Sequence, residues 1–266
     1  MEDAWLRDEG DWSLPVRLLT WARVKKVIHS VPARPAGFRP RRLERGDAKQ
    51  RSNDSPVHDS RYLATPDAFI PLPESFYEPS AEIVAPRLLG HWLVRNTRSG
   101  PSGGVIVETE AYLAHDPSCH GFKRETSRNR AMYGPPGRAY VYFIYGNHWC
   151  FNAVCRPAGV AEAVLVRAIE PVFGMDWMQA NRRVFATHGL TNGPAKFCAA
   201  LKIDRTMDAV NLCDRASPIF IAENPERKEL LNALGPITTT TRIGLTKAAD
   251  WPLRFYLGGS RYVSRR

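Results

Sequence analysis

Glu108, Glu110 and Tyr112 open the stretch of this 266-residue chain in which reactive side chains are most concentrated. Alternate residues of a strand share one face. A carboxylate on a rigid strand, with an aromatic ring two residues on, can hold a water above a pocket while the ring stacks on a planar ligand, an arrangement suited to general-base chemistry. Taken alone, Glu-x-Glu-x-Tyr is more often the polar outer face of an edge strand. His115, Asp116, Cys119 and His120 follow. Imidazole and thiolate are zinc ligands, but no HExxH or paired CxxC completes a set, so no metal or other cofactor is expected. His120 by itself reads as a surface or hydrogen-bonding histidine. Five basic residues come next, Lys123, Arg124, Arg128, Arg130 and Arg138, against one acid, Glu125. Cations beside aromatics suit a partner that presents phosphates and bases, and a solvated loop fits the run equally well. Tyr145 falls at the tip of an expected hairpin, where a large ring either wedges into a base stack or packs under a neighbouring loop.

These side chains need a scaffold. Residues 104–112 (GVIVETEAY) alternate strictly: Val105, Val107, Thr109 and Ala111 face one way, Ile106, Glu108, Glu110 and Tyr112 the other. Residues 139–145 and 148–155 are β-rich runs separated by Gly146-Asn147, which predicts a two-residue type II′ hairpin. In that register Tyr145 faces His148, Tyr142 pairs with Phe151 and Asn152 with Val141, so Tyr142 and Asn152 lie on opposite faces. Further strands are expected at 163–169, 218–222 and 253–257. Helices are expected at 79–94 (broken or kinked at Pro86), 172–183 and 194–202, the last opening with Asn192-Gly193-Pro194. Strands outnumber helices and hairpins are local, which predicts an α+β domain with flanking helices on a mainly antiparallel sheet.

Composition bounds the rest. The chain is 44% apolar and 24% charged, with no run near the roughly 20 apolar residues of a membrane span. An acidic first fifteen residues argue against a targeting leader, and five unpatterned cysteines suggest an intracellular protein with reduced thiols. The net charge is +10, of which residues 71–266 carry +7; a surplus there favours a polyanionic partner, nucleic acid ahead of a membrane surface. A boundary is expected near residue 70. Residues 1–70 read as a basic, largely disordered extension, with one short basic amphipathic helix at 16–31. Residues 71–266 read as a single compact domain.

Several motifs, taken in order, resemble the alkyladenine (3-methyladenine) DNA glycosylase family: VETEAY at 107–112, SRNRAMYGPPGRAYVYFIYG at 127–146, CFN at 150–152, LVRAIEP at 165–171, NGPAK at 192–196 and RIGLTKAADWPLRFY at 242–256. The opening PLPESFYEPSAEIVAPRLLGHWLVR at 71–95 is similar too, so the resemblance covers nearly all of 71–266. It implies a monofunctional glycosylase, active as a monomer without cofactor, that flips alkylated or deaminated purines out of duplex DNA and hydrolyses the N-glycosidic bond. By that resemblance Glu110 is the general base, and Tyr112, His120 and Tyr142 form the pocket. Asn152 discriminates between bases and Arg167 supports the site. Tyr145 is the wedge, with Arg128, Arg130, Asn147 and Lys196 on the DNA side, although Asn147 stands where many relatives carry an apolar residue. The resemblance puts Tyr142 and Asn152 at one pocket, against the hairpin register above, so a bulge or strong twist must intervene or one assignment is wrong. Two other readings are a protein that binds damaged DNA without cutting it, and a metal-dependent hydrolase built on His115, Cys119 and His120.

Overall fold

A computed structural model describes residues 69–265. The expected helix at 16–31 and all but the last two residues of the 1–70 extension lie outside the described residues. Phe69 is itself part of the core, with its ring against Trp92 and Phe173, and the carbonyl of Ile70 accepts from Glu223 N at 2.8 Å. Packing therefore takes in the last residues assigned from sequence to the extension.

One antiparallel sheet organises the described residues. Its strands are β1 (Trp92–Thr97), β2 (Gly100–Tyr112), β3 (Ala139–Ile144), β4 (His148–Cys155), β5 (Glu162–Phe173), β6 (Ile219–Ala222), β7 (Ile237–Thr240) and β8 (Arg254–Leu257), with the order β3-β4-β5-β2-β1-β6. Strand β2 is central. β5 runs along one of its edges, while on the other its first half pairs with β1 and Glu108–Glu110 pair with β8. Gly103 and Gly104 make this three-way pairing possible: a Cβ there would sit 2.0 Å from Leu93 O and 1.9 Å from Glu170 O. Between Ile106 and Thr109 the β2–β5 register shifts, an irregularity of the kind that bends a strand and re-aims its side chains.

Among the described residues four α-helices flank the sheet: α1 (Ala81–Leu88), α2 (Met175–Arg182), α3 (Pro194–Ala200) and α4 (Arg227–Leu234). Helix α1 packs across β2 and β5, where Val84, Ala85 and Leu88 meet Val107 and Val166 in the core, and Thr109 Oγ1 donates to Ala85 O at 2.9 Å. The expected helix over 79–94 divides. Its helical part ends at Leu88, and Gly90, at φ +87°, turns the chain so that Trp92, Leu93 and Val94 enter β1. Strand propensity and pairing with β2 and β6 overrode a helical reading of that apolar run. Helix α3 begins with Pro194 as its first residue, as the Gly-Pro signal predicts. Helix α4 and strand β7 had no counterpart in the sequence reading.

The hairpin register differs from the expected one by one residue. Ile144 pairs with His148, so the connection holds three residues, 145–147, and Tyr142 pairs with Cys150 and Tyr140 with Asn152. Tyr145 and Gly146 both adopt left-handed backbone, at φ +54° and +74°. Positive φ at two successive residues is the geometry of a primed turn, whose twist matches that of the strands. A one-residue slip moves every side chain of a strand to the other face. Here it brings Tyr142 and Asn152 to the same face and removes the conflict.

Candidate active site

Strands β2, β3, β4 and β5 all contribute to one cavity of about 370 Å³. Tyr112, Tyr140, Tyr142, Asn152 and Arg167 line it, together with His120 from the loop that follows β2. That loop is not free to drift. A small apolar cluster of Cys119, Ala131, Met132, Tyr140, Val154 and Ala163 packs beneath it, and Asn129 Nδ2 donates to His120 O at 2.8 Å.

Glu110 lies behind the cavity wall and does not itself line it. The residue is 0% exposed, and each group that holds its carboxylate belongs to a lining residue. Ile243 N donates to Oε1 at 2.8 Å, the Arg167 guanidinium meets Oε1 at 3.0 Å, and Tyr112 Oη donates to Oε2 at 3.0 Å. A carboxylate offers about four lone-pair sites. Among the described residues three are thus engaged, which leaves one on Oε2. Burial raises the Tyr112 hydroxyl well above its ordinary range, and the adjacent Glu110 adds to this, so the phenol stays protonated and donates. Burial would lower the Arg167 guanidinium, but Glu110 and Glu108 outweigh it and the net shift is upward, so the cation is secure.

The other wall is aromatic. His120 meets Tyr142 edge to face at a centroid distance of 4.5 Å, and Tyr140 lies 5.3 Å from Tyr142 at a 32° tilt. His120 Nδ1 shares a 2.8 Å hydrogen bond with Tyr140 Oη. Burial, then the nearby Arg128, lower His120 from its ordinary value, which favours the neutral ring at neutral pH. Burial keeps Tyr142 protonated, and Cys150 beside it contributes in the same direction. Asn152 Nδ2 donates to Tyr140 O at 2.9 Å, which fixes the plane of its amide at the cavity edge. The cavity is therefore a slot lined by aromatic rings, with a buried carboxylate behind it and an oriented amide in its wall.

The structure brings Tyr112, His120, Tyr142, Asn152, Arg167 and Tyr145 to this one cavity. Tyr145 is 83% exposed at the hairpin tip, and its left-handed backbone, which an L-residue adopts at a cost of about 1–2 kcal/mol, projects the ring from the surface. Asn147 is exposed in the same turn. The remaining expected DNA-side residues lie outside the slot. Arg128 donates to Phe143 O at 3.0 Å, tying the basic loop to the hairpin. Arg130 pairs with Glu125 at 3.2 Å on the surface. Lys196 donates to Asn192 Oδ1 at 2.8 Å in the first turn of α3. The candidate metal donors diverge. His115 packs on Trp251, Asp116 pairs with the buried Arg242, and Cys119 contacts Ala161 O. Among the described residues no group of three or more His, Cys, Asp or Glu side chains could hold a metal.

Tyr140 and Ile243 were not singled out from the sequence. Tyr140 had a signal, its i, i+2 spacing from Tyr142. Ile243 acts through its backbone amide, which no residue type announces.

Residues 75–261 match the family model of methylpurine-DNA glycosylases. The chain is 49% identical over 195 residues (73% of this chain, 99% of the relative) to a protein of Methanoculleus marisnigri named "Putative 3-methyladenine DNA glycosylase". Proteins of the same name from Francisella tularensis (44% over 182 residues, 68% of this chain and 92% of the relative) and Carboxydothermus hydrogenoformans (43% over 195 residues, 73% and 99%) are similar. The ordered motifs, the slot they build and these matches agree: the chain belongs to the methylpurine-DNA glycosylase family, enzymes that hydrolyse N-glycosyl bonds in DNA.

Proposed function

We propose that the protein flips an alkylated or deaminated purine out of duplex DNA into the aromatic slot and hydrolyses its N-glycosidic bond with a water activated by Glu110. The observation that carries this reading is the pairing of the slot with a buried carboxylate that keeps one lone pair uncommitted. A purine inside the stack is out of reach, and extruding it costs a few kcal/mol, least for a damaged or mispaired base. Tyr145, held outward by its backbone, fills the gap. Stacking between Tyr112 on one side and Tyr142, with the adjoining His120, on the other returns about 1–3 kcal/mol per base and more for a cationic purine, which ring faces attract.

A water bound at Glu110 Oε2 then attacks C1′. A C1′–O bond forms and one water proton passes to Glu110. The C1′–N bond breaks: its electron pair neutralises the ring of a cationic alkylated purine, whereas a neutral deaminated purine leaves as an anion that takes a proton from solvent water. Arg167 and the Ile243 amide hold the carboxylate in place as positive charge develops on the sugar. Asn152, its amide plane fixed by Tyr140 O, crowds the exocyclic amine of guanine. Among the described residues no lysine lines the cavity, and without an amine nucleophile the product is an intact abasic site. We take the working partner to be double-stranded DNA bound by an intracellular monomer; no helix of the described residues is long and apolar enough to cross a membrane.

A panel of duplexes, each with one methylated, deaminated or normal purine, tests this by chromatography of the released base. Free damaged base should appear in chelator-containing buffer, with strands cut only after alkali. DNA binding with no base released from any duplex would select the binding-only reading. Release abolished by chelator would select the metal hydrolase.

A further inference from the structure

Glu108 is the most heavily engaged buried group that the proposed reaction leaves without a task. It is wholly buried, and four donors converge on it, three at Oε1 and one at Oε2. Arg167 Nε reaches Oε1 at 3.0 Å, Arg254 Nε at 2.8 Å and Ser264 Oγ at 2.9 Å, while Ser264 N donates to Oε2 at 2.6 Å. We propose that Glu108 is a positioning residue for Glu110, acting through Arg167, and that Ser264 completes this support. The proposal rests on the reading of Glu110 as the base.

The geometry carries the argument. Arg167 is a planar fork whose Nε lies on Glu108 while Nη1 lies on Glu110, and its Nη2 is 3.5 Å from Ser264 Oγ. A guanidinium fixed at two of its nitrogens cannot rotate, so the nitrogen that meets Glu110 is fixed as well. Ser264 lies beyond the residues 75–261 matched to the family, so its part is legible only from the structure.

The charges are also matched. Two buried carboxylates, Glu108 and Glu110, face two buried guanidiniums, Arg167 and Arg254. The groups around Glu110 are Tyr112 from its own strand, Arg167 from β5 and Cys150 from β4. Arg254 stands on β8 in register with it, and Arg242 lies over the Tyr112 ring at 4.7 Å. Replacing Glu108 by a neutral side chain leaves Arg167 and Arg254 with Glu110 as the sole carboxylate of the network. The Arg167 guanidinium then loses the contact that fixes its Nε, and the nitrogen that meets Glu110 is free to shift.

The test compares wild type, Glu108→Gln, Glu108→Asp and Ser264→Ala in single-turnover base release, with thermal melting and affinity for an uncleaved lesion duplex measured alongside. Glu108→Gln should lose at least tenfold in rate while affinity changes less than threefold. Glu108→Asp keeps the charge at shorter reach, so part of the lost rate should return. Ser264→Ala should lose several-fold in rate and serves as the reporter should Glu108→Gln fail to fold. A folded Glu108→Gln with wild-type rate overturns the proposal. So does a lower melting temperature with an unaltered rate in Ser264→Ala. Absence of base release by wild type, or full activity in Glu110→Gln, would instead overturn the reading beneath it.

Discussion

The floor of the slot and the tip of the β3–β4 hairpin are opposites in every physical respect. Glu108, Glu110 and Arg167 are buried and locked in ion pairs, whereas Tyr145 is 83% exposed on a left-handed backbone. The floor suits chemistry that must exclude bulk water and hold a base still. The tip suits insertion into a stack, where an exposed ring gains a partner only when DNA arrives. Stability and recognition are thus separable in this molecule: the floor should be needed for both folding and reaction, the tip for DNA engagement alone.

Arg167→Met attacks the floor and should have the largest effect. It leaves Glu108 and Glu110 buried as like charges with one partner gone, and breaking such a pair costs about 3–5 kcal/mol. Melting should fall by several degrees or more and base release should vanish. Calorimetry showing an unchanged transition would contradict the network described for the floor. Tyr145→Ala attacks the tip. Affinity and turnover on a lesion duplex should weaken by roughly one to two orders of magnitude, the worth of about 1–3 kcal/mol of stacking, while melting stays within a degree or two. A large loss of stability would show that the ring packs on the protein.

Smaller effects sharpen the same contrast. Removing residues 1–66, which spares the buried Phe69, should leave base release intact and make DNA binding less sensitive to salt, read as a shallower slope of log affinity against log salt. Collapse of the fold would place part of the extension in the structural core. His91 offers a pH test remote from the slot. Burial, aided by Arg227 and Arg87, lowers it to about 4. The unfolded chain therefore takes up the proton first. This contribution to stability is complete above about pH 6.5 and is lost as pH falls towards 4. His91→Gln should flatten that part of the melting-versus-pH curve, and an unchanged slope would remove His91 as its source.

Much of this was legible in the sequence. Strict alternation placed Glu108, Glu110 and Tyr112 together, and the strands at β3, β4, β5, β6 and β8 were each anticipated. The hairpin register was not. Gly146-Asn147 has the chemistry of a two-residue turn, yet the chain admits a non-glycine residue, Tyr145, to left-handed backbone, and that choice flips the register. Apolar residues at 92–94 suit a helix as well as a strand, and only pairing with β2 and β6 decides between them. The Ile243 amide and the Ser264 cap arise where distant segments meet, and no local pattern encodes such a meeting.

The central claim is that a buried carboxylate, not the aromatic slot alone, performs the cleavage. Single-turnover base release by Glu110→Gln, at enzyme concentrations that saturate a lesion duplex of measured affinity, tests it most directly. The account expects binding close to wild type with the rate of release reduced by about 10²–10⁴-fold, the usual worth of a general base. Release at the wild-type rate from the bound duplex would contradict it.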